Sequence, residues 1–157
     1  MEPFVDRLRQ DYPKLAFMAA PRASWSAHTN QVAYTNEELP LAIWALLHEL
    51  GHALLGHNSY ESDASLLRKE VAAWSKAKQL AQKYELHIDD EHIEQCLDTY
   101  REWLYKRSTC PTCGQHGVQT EHLYNCLNCQ DSWRVSRERF CRPYRLKKRS
   151  SNKIVQL

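Results

Sequence analysis

Two histidines, His48 and His52, stand four residues apart in a stretch from Leu39 to Leu55 whose one acidic residue is Glu49. On an α-helix, side chains at that spacing share a face and lie one turn apart. The spacing therefore has a chemical meaning only if the segment is helical, and the apolar surroundings predict that it is. Asn36 is the expected cap, Pro40 suits the first turn, and Gly56 suits the stop, which gives a helix to about Leu55. Two imidazoles so placed can point ring nitrogens at one ion about 2.0–2.1 Å away. Glu49, one residue on, is placed to take a proton from a water that such an ion activates and to return it to a leaving amine.

A metal ion that performs hydrolysis is held by three protein donors and keeps one position open. The third donor is expected downstream, at Glu70. It lies three residues after Leu67 and four before Trp74, on the apolar stripe of a second predicted helix, about Asp63 to Tyr84. A carboxylate buried there without a cation is costly. Asp63, Glu61 and His57 are the competing donors. His57 follows His52 by five residues, where the pattern His-Glu-x-x-His-x-x-Gly-x-x-His requires six, and Leu55 occupies that pattern's glycine position. Tyr60 and His57 are both candidates to stabilise the charge that develops on a cleaved carbonyl.

The rest of this half reads as a helix over 2–10, then an extended region from Leu15 to Tyr34 with two or three short strands. Gln31 to Thr35 is the clearest strand, expected to be an edge on which an extended peptide can pair. The stripe of the second helix is Leu67, Val71, Trp74, Ala77 and Ala81. A third helix, about Asp90 to Lys106 and capped by Asp89, carries Ile93, Leu97, Tyr100 and Leu104 at helical spacing.

Periodicity ends at Ser108 and Thr109, and cysteines take over. Cys110-Pro-Thr-Cys113 and Cys126-Leu-Asn-Cys129 are twin Cys-x-x-Cys turns separated by twelve residues, a spacing that closes a tetrahedral four-thiolate zinc site. Four cysteines leave no corner for water, so this zinc is expected to be structural. All four glycines, at 51, 56, 114 and 117, fall in or beside the two metal motifs. Cys96 and Cys141 are left over as thiols. Zinc is thus expected twice per chain, once catalytic and once structural.

Charge is unevenly spread. Residues 1–130 carry a net −5 and residues 131–157 a net +7, within an overall +2. Arg134, Arg137, Arg139, Arg142, Arg145, Lys147, Lys148 and Arg149, interleaved with Trp133, Phe140 and Tyr144, suit contact with DNA or RNA. The charged first twenty residues lack the apolar core of a signal peptide, and no apolar run approaches the ~20 residues of a membrane span. A cytoplasmic location without membrane contact follows as the expectation. The expected division is 1–108, 109–135 and 136–157: an α+β domain of a short sheet and three main helices, a zinc ribbon, and a basic tail.

The stretch Val32-Ala-Tyr-Thr-Asn36, followed by Ala45-Leu-Leu-His48-Glu49-Leu-Gly-His52-Ala-Leu-Leu-Gly-His57 and later by Glu70-Val-Ala-Ala-Trp74, resembles the ImmA/IrrE metallopeptidases over about residues 30–82. The resemblance implies a gluzincin, zincin-like fold, Glu70 as third ligand, and a zinc endopeptidase whose substrate is a protein such as a transcriptional repressor. The interval from His52 to Glu70 is short for that family. SprT-like proteases are similar in placing a zinc ribbon after a His-Glu-x-x-His domain and act on proteins crosslinked to DNA. Their third ligand is a later histidine, for which only His57 is available. From a different class, the chain reads as a nucleic-acid-binding adaptor whose ribbon and tail do the work, a reading that the intact Glu49 opposes.

Overall fold

A computed structural model describes residues 1–37 and 39–136, and the backbone of 146–147. The chain is α+β, with α1 (Glu2–Asp11), β1 (Ala16–Ala19), β2 (Ser24–Ser26), β3 (Gln31–Tyr34), α2 (Pro40–Leu54), α3 (Asp63–Lys83), α4 (Asp90–Ser108), β4 (Gly117–Thr120), β5 (Leu123–Cys126), β6 (Ser132–Arg134) and β7 (Leu146–Lys147). It divides into two compact units, Met1–Tyr60 with Ser65–Leu97, and Glu61–Ala64 with Asp98 onward. The change of unit therefore falls inside α4, and the expected boundary at Ser108 is the end of that helix.

In the first unit a three-stranded sheet has the order β1-β3-β2. β1 runs parallel to β3 and β2 antiparallel to it. The strand expected at the edge, Gln31–Thr35, is instead the centre of the sheet. The reason is visible in its burial: Val32, Ala33 and Tyr34 are all buried, the near-continuous apolar signature of an interior strand. Among the described residues the free edges belong to β1 and β2. Leu46, Leu47 and Leu50 of α2 and Val5 and Leu8 of α1 are fully buried in the same core, and each burial is worth about 1.5–3 kcal/mol.

Helix α2 begins without the expected cap. Leu39 is the N-cap, no side chain bonds the first turn, and Pro40 follows it. Proline at the first helical position removes one of the four unpaired amide donors of the first turn, and Asn36 lies four residues before the helix starts. Its far end is as expected: His57 N donates to His52 O and Gly56 N to Ala53 O, the paired bonds that close a helix at glycine. The stripe of α3 is Glu70, Ala73, Trp74, Ala77, Leu80 and Ala81, while Val71 is 45% exposed. The stripe thus runs through the acid and not the adjacent valine. In α4, Asp89 caps through Oδ1, which accepts from Glu91 N at 3.0 Å. Trp103 and Arg107 are buried there, and Tyr100 and Leu104 only half so.

In the second unit the strands form an antiparallel sheet in the order β4-β5-β6-β7. Its small core is Tyr124, Trp133 and Val135 with Cys110 and Cys126. Tyr124 and Trp133 stack with centroids 5.5 Å apart. Among the described residues no helix is long and apolar enough to cross a membrane.

Candidate metal centres

His48 and His52 leave one face of α2, and Glu70 leaves the buried face of α3. His48 Nε2 lies 3.1 Å from His52 Nε2 and 3.2 Å from Glu70 Oε2, while His52 Nε2 lies 3.6 Å from Glu70 Oε1. A tetrahedral ion with bonds of about 2.0–2.1 Å holds its donors about 3.3–3.4 Å apart, the middle of that range. Glu70 Oε2 is buried and has no hydrogen-bond partner among the described residues, although His48 Nε2 is at contact distance. The two atoms are close without being aligned to share a proton, as co-ligands of one ion are. Two ring nitrogens and a carboxylate that face a common point fit a divalent metal ion and, among the described residues, supply three of the four donors of a tetrahedral site.

Electrostatics agrees with the geometry. Burial by itself pushes the Glu70 carboxyl upward, but the imidazoles of His48 and His52 outweigh it and hold the group well below the usual carboxylate range. Glu49 shows the opposite balance. Burial raises its pKa, Glu70 adds to the rise, and the two imidazoles and the Trp25 backbone amide oppose it without prevailing. A half-buried carboxyl held upward beside a metal centre is suited to accept a proton and release it again.

Helix packing sets the position of Glu70. A Cβ built on Gly51 would meet the Ala73 carbonyl oxygen at 2.7 Å, so glycine is what lets the backbones of α2 and α3 approach at this level. The Trp74 ring lies 4.3 Å from the His48 ring, tilted by 32°, and fixes that imidazole by packing. One participant, Trp25, escaped the sequence reading, and His57, weighed there as a ligand, holds a different place. Trp25 Nε1 donates to the His57 carbonyl at 2.6 Å, a contact between residues far apart in sequence that carries no local signal. His57 lies with Nδ1 2.9 Å from Nδ1 of His52, on the far side of that ring from Nε2. His57 is therefore outside the ligand group. Burial, then His52 and Lys69, hold its pKa down.

The other rejected donors have other places. Glu61 is exposed. Asp63 is buried in the second unit, where its carboxylate takes both arms of Arg107, with Oδ2 2.6 Å from Nε and Oδ1 3.2 Å from Nη2. Tyr124 OH donates to Asp63 Oδ2 at 2.7 Å. Arg107, 1% exposed, also donates to Ser136 O at 2.5 Å and Ser136 Oγ at 3.1 Å, and its own carbonyl accepts from Trp133 Nε1 at 2.8 Å. Tyr60 is half-buried between α2 and α3.

The four cysteines form the second group. Cys110 Sγ is 3.6 Å from Cys129 Sγ, and Cys113 Sγ 3.5 Å from Cys126 Sγ, near the ~3.8 Å edge of a tetrahedron with zinc–sulfur bonds of about 2.3 Å. The two turns are copies of each other. Gly114 N donates to Cys110 O at 3.0 Å, and Gln130 N to Cys126 O at 3.0 Å. Gly114 has φ +76° and Gln130 φ +60°. Backbone at Gln115 and the Asn128 side chain draw the Cys113 thiol down to about 6. At Cys129 the Asp131 amide also favours the thiolate, but burial and three neighbouring sulfurs push the group up to about 12. Four thiolates in one place need a cation, and the donor set fits zinc.

Of the basic residues singled out for nucleic acid, Arg134 is exposed on β6, and Lys147 lies on β7 with its backbone opposite Trp133. Arg137, Arg139, Arg142, Arg145, Lys148 and Arg149 lie outside the described residues, as does Cys141. Comparison with known proteins supplies no relative: no family model, no curated protein and no solved structure matches this chain.

Proposed function

We propose that the chain is a zinc-dependent endopeptidase. The observation that carries the reading is the convergence of His48, His52 and Glu70, from two helices, on one point. Zinc held there supplies a Lewis acid that polarises a carbonyl and makes water nucleophilic at neutral pH. Glu49 then has the proton to move: its carboxylate takes it from the attacking water and passes it to the departing amine nitrogen. His48 and His52 would hold the ion through Nε2, the nitrogens that face Glu70. An extended substrate backbone can add to a sheet edge, and of the two edge strands β2 is the one tied to the centre, through Trp25 and the His57 carbonyl.

A substrate of the repressor type follows from the resemblance to ImmA/IrrE peptidases. The exposed Arg134 and the +7 charge of residues 131–157 support contact with nucleic acid as an accessory property. The SprT-like alternative needs a third histidine at the ion, and the position of His57 against the far nitrogen of His52 speaks for the glutamate.

The test uses a denatured-proteome peptide library read by mass spectrometry. Zinc-loaded protein is expected to generate new termini, and Glu49→Gln to lose about 10²–10⁴-fold of that rate with both metals retained. Undiminished cleavage by the variant contradicts the reading.

A further inference from the structure

Ligand histidines need their second ring nitrogen committed if the ring is to stay oriented, and that partner is usually a carboxylate, a backbone carbonyl or water. The two ligands on α2 differ in this respect. His48 Nδ1 is buried without a hydrogen-bond partner among the described residues, and its ring is located by the Trp74 face. His52 Nδ1 faces Nδ1 of His57 at 2.9 Å. If His52 presents Nε2 to an ion, its Nδ1 must carry the proton, so the Nδ1 of His57 must be the acceptor and bear none.

We propose that His57 is a positioning residue for the metal centre, a neutral imidazole that accepts from His52 Nδ1–H and fixes both the tautomer and the aim of that ligand. The proposal rests on the reading that His48, His52 and Glu70 hold a metal ion. His57 is itself held at two points of its backbone. Its amide donates to the His52 carbonyl at 3.0 Å, so the two residues are tied by backbone and ring at once. Its carbonyl accepts from Trp25 Nε1 at 2.6 Å, which anchors it to β2. The ring centroids lie 5.0 Å apart with planes at 66°, a separation that leaves the two nitrogens facing each other between the rings, and an in-plane N–H···N bond tolerates any twist about its own axis. Gly56 closes the helix immediately before His57, so the turn that ends α2 is also what delivers the acceptor. The five-residue step that disqualifies His57 as a ligand is the step that places it behind one.

The test measures metal content of the full chain by dialysis against buffered free zinc. Wild type is expected to fill in two steps, and the His48→Ala/His52→Ala variant identifies which step belongs to this centre. His57→Leu is expected to move that step to about 10–100-fold higher free zinc and leave the other unmoved. His57→Asn, whose side-chain oxygen branches from Cγ as Nδ1 does, is expected to bring it back to within a few-fold of wild type. In ¹⁵N spectra of the zinc-loaded protein the His52 Nδ1 proton is expected to exchange slowly in wild type and His57→Asn, and fast in His57→Leu. A His57→Leu step that coincides with wild type overturns the proposal, and so does a His57→Asn step as displaced as that of His57→Leu. Should the double-alanine variant retain both metals, the underlying centre fails and the positioning role falls with it, a result distinguishable from either of the others.

Discussion

The two candidate centres, one of four side chains and one of three, are put together differently. In the second unit each half of the site is a four-residue turn, and the backbone of one turn repeats that of the other, down to the positive φ of Gly114 and Gln130. In the first unit two donors share a helix, but the third, Glu70, reaches them only because α3 packs against α2 at Gly51. The four-cysteine site is thus assembled from local pieces and leaves no corner open, as a structural ion requires. The histidine-glutamate group depends on tertiary packing and supplies three donors among the described residues, the number that the proposed hydrolysis needs. A site of the first kind stabilises its surroundings, and one of the second kind is held in place by them.

The largest expected effect breaks the comparison on the ribbon side. Replacing Cys110 and Cys126 with serine removes half of the thiolates, and both cysteines belong to the cluster that Tyr124, Trp133 and Val135 form among the described residues. Binding energy of structural zinc, about 10–16 kcal/mol in small zinc domains, is folding energy there. The variant is expected to hold one metal and to lose the cooperative melting of the second unit, with protease cuts appearing after residue 98. The first unit's metal is expected to remain.

A smaller effect probes the packing. Gly51→Ala is a change that helix propensity favours by about 1 kcal/mol. The new Cβ, however, would sit 2.7 Å from a backbone oxygen of Ala73, and such overpacking costs about 1–3 kcal/mol. Chemical denaturation is expected to show net destabilisation, with weaker metal binding at His48, His52 and Glu70 because α3 carries the third ligand. A stabilised variant with unchanged metal binding would mean that the helices do not approach as described.

The smallest effect sharpens the likeness of the two cysteine turns. Gln130 holds the left-handed backbone that glycine holds at 114, at a cost of about 1–2 kcal/mol for a residue with a side chain. Gln130→Gly relieves that cost and gives part of it back as freedom of the unfolded chain. A gain of about 0.5 kcal/mol in the second unit is expected, read from denaturation midpoints, and a loss would show the turns to be less alike than their hydrogen bonds suggest.

What the sequence disclosed follows the same division between local and distant. The cysteine pairs, the helix through His48 and His52, its stop at Gly56 and the Asp89 cap all arise within a few residues, and spacing alone reads them. Glu70 was legible because its stripe is local, and the structure improves on that reading by showing Val71 exposed. The central place of β3 was missed because alternation tells which faces are buried, and the partners of a strand's edges lie elsewhere in the chain. Trp25 behind His57 and Arg107 against Asp63 were missed for the same reason. Asp63 stood as a rival ligand precedent to any knowledge of its partner, since a buried acid announces a cation but not which one.

Whether one ion joins α2 to α3 decides what the first unit can do. Anomalous scattering at the zinc edge from crystals of the zinc-loaded protein is its most direct test. Two peaks per chain are expected, one within about 2.0–2.2 Å of His48 Nε2, His52 Nε2 and a Glu70 oxygen together, the other among the four cysteine sulfurs. A single peak at the cysteines, or a peak at the histidines with Glu70 turned away from it, would contradict the account.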